Sequence, residues 1–426
     1  METLGGFIRK SGFWTLDTIK GNPVRKRYNY LLSVKEDKVK SDALKNLLTH
    51  AKETVPYYTG IRTIDIESFP VVSKDLFKKN YEAFRSSKFQ DESVLHAAYT
   101  SGSTGTPFKA LQDRGKILWH QAGLIALNES IGWQLGERFM FMRVWDLAHS
   151  ASRLSQFMSN TIPFDVVGFS DSRCEEVRQR LRNDKSLRMV IGYASALEKL
   201  SQYVIEKGDQ PDEFGMRLII ADSENLTKEA RKVIESAFGC PVYNRYANNE
   251  NGIIALAGPE NDEFFVNYPE YYVEILNLDS DTAVKEGEMG RVVITDLYNY
   301  AFPFIRYDTG DLGIAGRITE NGCEVISQLL GRVSSSLFAT DGGLITETSV
   351  IAHFEDIPEI GRHQVVQFNK KEYELRIEST KSELDSLLLS RLKKCMGEDA
   401  VITIKHVEHV EQGKNGKIPV TINRMK

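Results

Sequence analysis

The chain has 426 residues, is 41% hydrophobic and balances 54 basic against 59 acidic side chains for a net charge of -5 at pH 7. That length and apolar content suit a globular protein of two or three domains and exclude a chain disordered for want of a core, and the interspersed charge presents no basic face, which excludes nucleic acid as an expected partner. Four cysteines, Cys174, Cys240, Cys323 and Cys395, are too scattered for a Cys-x-x-Cys pair, so neither a zinc site nor a disulfide framework is expected and a reducing cytoplasm fits best.

Residues 1–16 mix aromatics and charges without a continuous apolar core, so they do not read as a signal peptide, and no apolar run nears the roughly 18 residues of a membrane span. Phe7, Phe13, Trp14 and Leu16 are expected to pack on the main body rather than lie on a membrane or partner, and Arg25-Lys26-Arg27 to be a solvated end. Val39, Ala43, Leu47, Leu48 and Ala51 recur at helical spacing over 38–54 until Pro56 stops them. Leu95 to Ala98 reads as a strand end, and 117–131 as a second amphipathic helix. From Arg138 onward short apolar runs at 139–144, 162–167, 189–192 and 218–221 alternate with helix-like segments at 175–182 and 196–205, the pattern of a parallel sheet covered on both faces. Ser195 is placed to cap the second of these helices, and Thr227 to cap a helix that ends at Gly239. Near residue 265 the character changes: 271–276 and 290–295 read as strands of a more antiparallel, barrel-like region. Gly331-Arg332 opens a last segment with a hairpin about Asn369-Lys370-Lys371, a helix over 382–396 and a strand over 400–407, a small α+β domain.

Four stretches carry chemistry. Tyr99 to Lys109 concentrates hydroxyls, glycines and Pro107, and glycine freedom with hydroxyl donors suits a loop that wraps phosphates; its spacing is not that of a Walker A loop, and a flexible surface linker is the other reading. Val242 to Gly252 follows a helix and a short strand, where open α/β sheets bind ligands. There Glu250 suits a magnesium ion beside phosphates and Tyr246 a stacked base, while a polar turn with a buried tyrosine explains the same residues. In Phe304 to Gly313, Asp308 and Asp311 flank a Thr-Gly turn, where a fixed carboxylate can accept both hydroxyls of a ribose; an Asx turn accounts for one of them. Last, Glu411 to Val420 holds Lys414 and Lys417 in a glycine-flanked loop that can carry an ammonium into another domain's cleft, or serve as an exposed tail.

Together, in this order and at about these separations, the four stretches resemble those of the adenylate-forming enzymes, in particular the phenylacetate-coenzyme A ligase branch. Phe13-Trp14, Lys20-Gly21 and 25–28 further resemble relatives found in capsular polysaccharide biosynthesis. The resemblance implies an α/β fold: a large N-terminal adenylation domain of parallel sheets and helices with a β-rich subregion over 1–330, and a small mobile α+β lid over 331–426. It implies that Thr100, Ser101, Gly102, Ser103, Thr104, Gly105 and Thr106 hold the ATP phosphates, that Glu250 binds Mg2+, and that Asp311 holds the ribose. By the same likeness Ser223-Glu224 lies along the adenine with Tyr246, Arg332 belongs to the pair before the hinge, and Lys417, rather than Lys414, is the catalytic lysine. The implied activity is AMP-forming: a small carboxylic acid becomes an acyl-adenylate with release of pyrophosphate, and the acyl group passes to coenzyme A. Transfer to an amino or hydroxyl group of a sugar precursor is the alternative acceptor chemistry, and a nucleotide-binding module without turnover the alternative class. Two positions depart from the family pattern: Ala247 stands where glycine usually follows the tyrosine, and Ser334-Ser335 where an aspartate pair usually forms the hinge. Trp145, His149 and Tyr193 lie in segments able to line the acid pocket.

Overall fold

The computed structural model describes residues 4–33, 36–100, 108–145, 153–267, 269–319, 322–354, 356–413 and 417–425. At the N-terminus α1 (Leu4–Ile19) and α2 (Pro23–Ser33) form a hairpin pinned by the buried Asp17 carboxylate, which accepts the Val24 and Arg25 backbone N–H groups at 2.9 Å each. Phe13 and Trp14 pack with Val24 against Ala122 and Ile125 of the main body, as expected, whereas Phe7 and Leu16 are exposed. Helix α3 (Glu36–Thr54) buries Leu47, Leu48 and Ala51 in an aromatic-rich core with Tyr58, Phe77, Phe302 and Phe304.

The centre of the molecule is one twelve-stranded sheet. Its parallel part comprises β3 (Arg138–Arg143), β4 (Thr161–Asp165), β5 (Leu187–Tyr193), β6 (Leu218–Asp222) and β7 (Val242–Asn248), in spatial order β4-β3-β5-β6-β7. These follow a separate hairpin of β1 (His96–Thr100) and β2 (Phe108–Gln112) and the helix α4 (Arg114–Ser130). Between strands run α5 (Asp171–Asn183), α6 (Ala194–Glu206) and α7 (Lys228–Phe238), whose apolar stripes close one face over Met140, Val190, Leu197, Ile219 and Ile234. Helix α7 begins and ends as its sequence dictates: the Thr227 hydroxyl accepts the Ala230 N–H at 3.0 Å, and Gly239, at φ +61°, adopts the left-handed turn that glycine takes without strain. Ser195 is not the cap of α6. It lies inside the helix, and its N–H is instead taken by the carboxylate of Glu224 at 2.9 Å, a stronger charged acceptor brought from the next strand's end.

The strands expected to form a barrel-like region are present but not separate. The antiparallel continuation is β8 (Gly252–Ala257), β9 (Phe264–Val266), β10 (Tyr271–Leu276), β11 (Met289–Asp296), β12 (Tyr307–Ala315) and β13 (Val325–Arg332), and the order β7-β8-β9-β13-β12-β11-β10 extends the parallel sheet without a break. A two-residue strand, Val72–Ser73, adds to β12 in parallel. Beyond Arg332 a 3₁₀ turn, Val333–Ser335, takes the place of the expected hinge aspartates and leads to α8 (Glu347–Ala352). A second sheet follows, ordered β16-β15-β14-β17, from β14 (His363–Gln367), β15 (Glu372–Ile377), β16 (Val401–His406) and β17 (Thr421–Asn423), with α9 (Asp385–Met396) packed on it. The β14–β15 hairpin turns at 368–371, as its Asn-Lys-Lys predicts, and its core of Val365, Leu375, Ile377, Leu388 and Leu392 is distinct from that of the large sheet. Among the described residues no helix is long and apolar enough to cross a membrane.

Candidate active site

Asp311 sits on β12 opposite Arg332 on β13, its register partner. Its Oδ1 faces Arg332 Nε at 3.2 Å, and its Oδ2 accepts the Tyr246 hydroxyl at 2.6 Å. Asp311 raises the Arg332 guanidinium above its ordinary value, and burial, with Asp311 next, lifts the Tyr246 phenol well above its own. Tyr246 therefore holds the carboxylate through its hydroxyl. The companion Asp308 is spent on structure: its Oδ1 takes the Gly310 N–H at 2.9 Å, the expected Asx turn, and its Oδ2 pairs with Arg291 at 2.8 Å. Of the two aspartates, only Asp311 faces the tyrosine and arginine.

Glu250 occupies the turn between β7 and β8, so the stretch expected as a loop after a parallel strand is a hairpin turn, with Tyr246 to Asn248 still in the strand. The turn is built from its own asparagines and held from behind. Asn248 Oδ1 accepts the Asn251 N–H at 2.8 Å, Gln112 Nε2 donates to the Glu250 carbonyl at 3.0 Å, and the Tyr271 hydroxyl donates to the Asn251 carbonyl at 2.5 Å. Behind Tyr271 lies a fully buried cation, Lys116, paired with Asp296 at 2.8 Å. Glu250 Oε1 accepts the Tyr307 hydroxyl at 2.8 Å and lies 3.2 Å from Lys74 Nζ, at the start of the short helix Lys74–Lys79. Lys74 and Tyr307 are site neighbours that sequence reading missed. Tyr307 stands one residue before Asp308 in the singled-out stretch, but nothing near Lys74 distinguishes it from other surface lysines.

Asn249 Nδ2 donates to the Tyr99 carbonyl at 3.0 Å, which sets the Glu250 turn beside the end of β1, where Thr100 begins the hydroxyl-rich loop. Ser101, Gly102, Ser103, Thr104, Gly105 and Thr106 lie outside the described residues, as do Lys414 and His149.

Lys417 arrives from the far end of the chain. Its Nζ donates to the Ser223 carbonyl at 2.8 Å and stands 5.6 Å from the centre of the Tyr193 ring. Ser223 presents that carbonyl from a left-handed backbone, φ +68°, uncommon for a residue with a side chain. Burial lowers the Lys417 ammonium below its ordinary value, against the raising effect of Glu224, and Arg332 and Asp311 also act on it. Beside it, Glu224 joins the two parts of the molecule: Oε2 holds Ser195 N–H and Oε1 holds Ile418 N–H at 3.2 Å. Arg362 adds a bond to the Ser195 carbonyl at 2.9 Å. Tyr246, Asp311 and Arg332 thus form one group, Ser223, Glu224 and Lys417 form a second within its electrostatic field, and Glu250 adjoins the first through Tyr307.

A magnesium ion fits this setting on the donor chemistry. Glu250 is a hard carboxylate, 5% exposed, beside the strand that feeds the hydroxyl loop. Among the described residues no group of three or more His, Cys, Asp or Glu gathers to hold a metal.

No protein-family model matches the chain. Among curated proteins it is 25% identical over 254 residues to a phenylacetate-coenzyme A ligase of Pseudomonas putida, covering 58% of this chain and 56% of that ligase. It is 22% identical over 332 residues to Protein CapK of Staphylococcus aureus, covering 76% and 69%. Among solved structures, 2-hydroxyisobutyryl-CoA ligase in its postadenylation state superimposes with a TM-score of 0.72 at 17% identity, over 91% of this chain and 89% of that one. The chain is thus similar in sequence to phenylacetate-coenzyme A ligases and shares the fold of the adenylate-forming enzymes. The adenylate-forming fold accounts for the single large sheet with a small second sheet behind it. The chain spans a little over half the length of the Pseudomonas ligase it matches.

Proposed function

We propose that this chain is an AMP-forming ligase that activates a carboxylic acid with ATP. The acid's carboxylate oxygen attacks the α-phosphorus, the bond to the β-phosphate oxygen breaks, and acyl-adenylate and pyrophosphate form. The thiol of coenzyme A then attacks the acyl carbon, losing its proton, and AMP departs. The first step needs no general base, because a carboxylate is already ionised at neutral pH; it needs positioning and neutralisation of charge.

Each residue has a part in that reading. Asp311, steadied by Tyr246 and Arg332, offers its remaining lone pairs to the ribose hydroxyls. The backbone of Ser223 and Glu224 borders the adenine. Thr100 to Thr106 grip the β- and γ-phosphates, with Glu250 alongside. Mg2+, held by Glu250, supplies charge neutralisation for the phosphates when bound. Lys417 brings its ammonium to the α-phosphate as negative charge builds there. Residues 331–426 form the lid that delivers it, and the enzyme is expected to work in the cytoplasm.

The observation that carries this reading is the seating of Lys417, from the small sheet's side, on Ser223 and within the field of Asp311 and Arg332. The test is exchange of labelled pyrophosphate into ATP across a panel of carboxylic acids, with coenzyme A thiol consumption followed in parallel. At least one acid is expected to support both. If ATP binds and no acid supports exchange, the ligase reading fails; exchange without thiol consumption, with a sugar acceptor acylated instead, replaces coenzyme A as the acceptor.

A further inference from the structure

Three residues at the carboxyl ends of adjacent parallel strands, and a fourth in the middle of β7, lie side by side. Met142 pairs with Gly192, so Arg143 follows beside Tyr193; Tyr193 pairs with Asp222, and Asp222 with Arg245. The row reads guanidinium, phenol, carboxylate, guanidinium. Arg245 and Asp222 neutralise one another at 2.7 Å, both 9% exposed. Arg143 has no such counterpart: among the described residues no carboxylate pairs with it, and its Nε is buried without a hydrogen-bond acceptor, as is that of Arg245, while Asp222 Oδ1 in the same row is buried without a donor. Both guanidiniums flank one ring, Phe141, with their carbons 5.3 Å and 5.8 Å from its centre, and Arg143 also stands 6.0 Å from Trp145.

Arg143 lies one strand from the lysine's neighbour: Tyr193, whose ring faces Lys417, ends the strand paired with the one that ends at Arg143. Burial raises the Tyr193 phenol, and Arg143 is the largest influence opposing it, which places the two within each other's field. An acid whose reacting carboxylate lies near Lys417 therefore meets the Phe141, Trp145 and Arg143 cluster with its other end. A purely apolar acyl group would strip water from a guanidinium and give it no acceptor, a costly arrangement. A carboxylate there would answer the Arg143 guanidinium, which no carboxylate among the described residues pairs with.

Resting on the ligase reading, we propose that the acid activated by this chain carries a second carboxylate, and that Arg143, beside Arg245, receives it. The substrate class is the dicarboxylic acids.

The experiment is pyrophosphate exchange by the full chain with matched acids: succinate against butyrate, and terephthalate against 4-methylbenzoate. The dicarboxylate of at least one pair is expected to win by tenfold or more in kcat/KM. In Arg143→Met its KM should rise 10- to 100-fold, the loss falling on KM rather than kcat, with partial recovery in Arg143→Lys. Retained ATP binding shows that the variants fold, and should they fail to fold the wild-type preference decides alone. Equal use of the monocarboxylates, or an Arg143→Met loss that falls on kcat alike for every acid, overturns the proposal and leaves the ligase reading standing. Exchange with no acid at all, while ATP binds, removes the ligase reading beneath it.

Discussion

The two groups of the candidate site are made in opposite ways. On one side Asp311 and Arg332 are partners in a β-ladder and Tyr246 reaches them from β7, so the group is fixed by the register of a single sheet. On the other side Lys417, Ile418 and Arg362 meet Ser223, Glu224 and Ser195 across the junction of two sheets, through a few hydrogen bonds and no shared ladder. On the proposed ligase reading, the ribose-holding carboxylate would sit on the side fixed by strand register, and the cation needed for one step on the side held by a few hydrogen bonds.

Three measurements sharpen or break this contrast. The largest effect is expected from Lys417→Ala, which should cut pyrophosphate exchange by about 100- to 1000-fold while ATP still binds, with Lys414→Ala changing it far less. Equal losses in the two variants would remove Lys417 from its role. Next comes Asp311→Asn, which leaves Tyr246 and Arg332 without their ionised partner and should raise the KM for ATP about 10- to 100-fold. An unchanged KM would show that the group fixed by strand register does not hold the ribose.

The smallest effect concerns pH. Glu347, on α8, is half-buried; burial, and then the nearby Glu224, push its carboxyl from 4.5 up to about 7 when the two parts are together. The docked arrangement therefore favours protonated Glu347: its stabilisation is full below about 4.5 and lost as pH rises through about 7. Thermal unfolding of Glu347→Gln against wild type should show the variant gaining relative stability as pH rises through this range. A difference independent of pH would mean that Glu347 is neither buried nor beside Glu224 in solution.

The two groups also differed in how far the sequence disclosed them. Asp311 and Lys417 stood out only through the joint order and spacing of four stretches, each weak alone, and Arg332 only through the Gly-Arg pair that the same resemblance picks out. Helix α7 was legible at both ends because Thr227 and Gly239 are local signals answered by local geometry. Ser195 misled because a capping residue competes with any stronger acceptor the fold brings, and Glu224 came from a different strand. The strands at 271–276 and 289–296 were found, but their membership in the large sheet depends on β8 and β9 bridging from β7, which no local period encodes. Lys74 was invisible for a similar reason: its meeting with Glu250 follows from the pairing of Val72–Ser73 with β12. The guanidinium row across the parallel strands became readable only once strand register was known.

Glu224 divides its two oxygens between a permanent and a removable client. Ser195 N–H belongs to the first turn of α6 in the large body, and Ile418 N–H to the arriving segment. Withdrawal of Lys417 and Ile418 therefore uncaps no helix and leaves no buried donor stranded in the large body; the freed oxygen simply meets water. On the proposed lid motion, such a catch would cost only a few hydrogen bonds to release and would stay aimed for the next engagement.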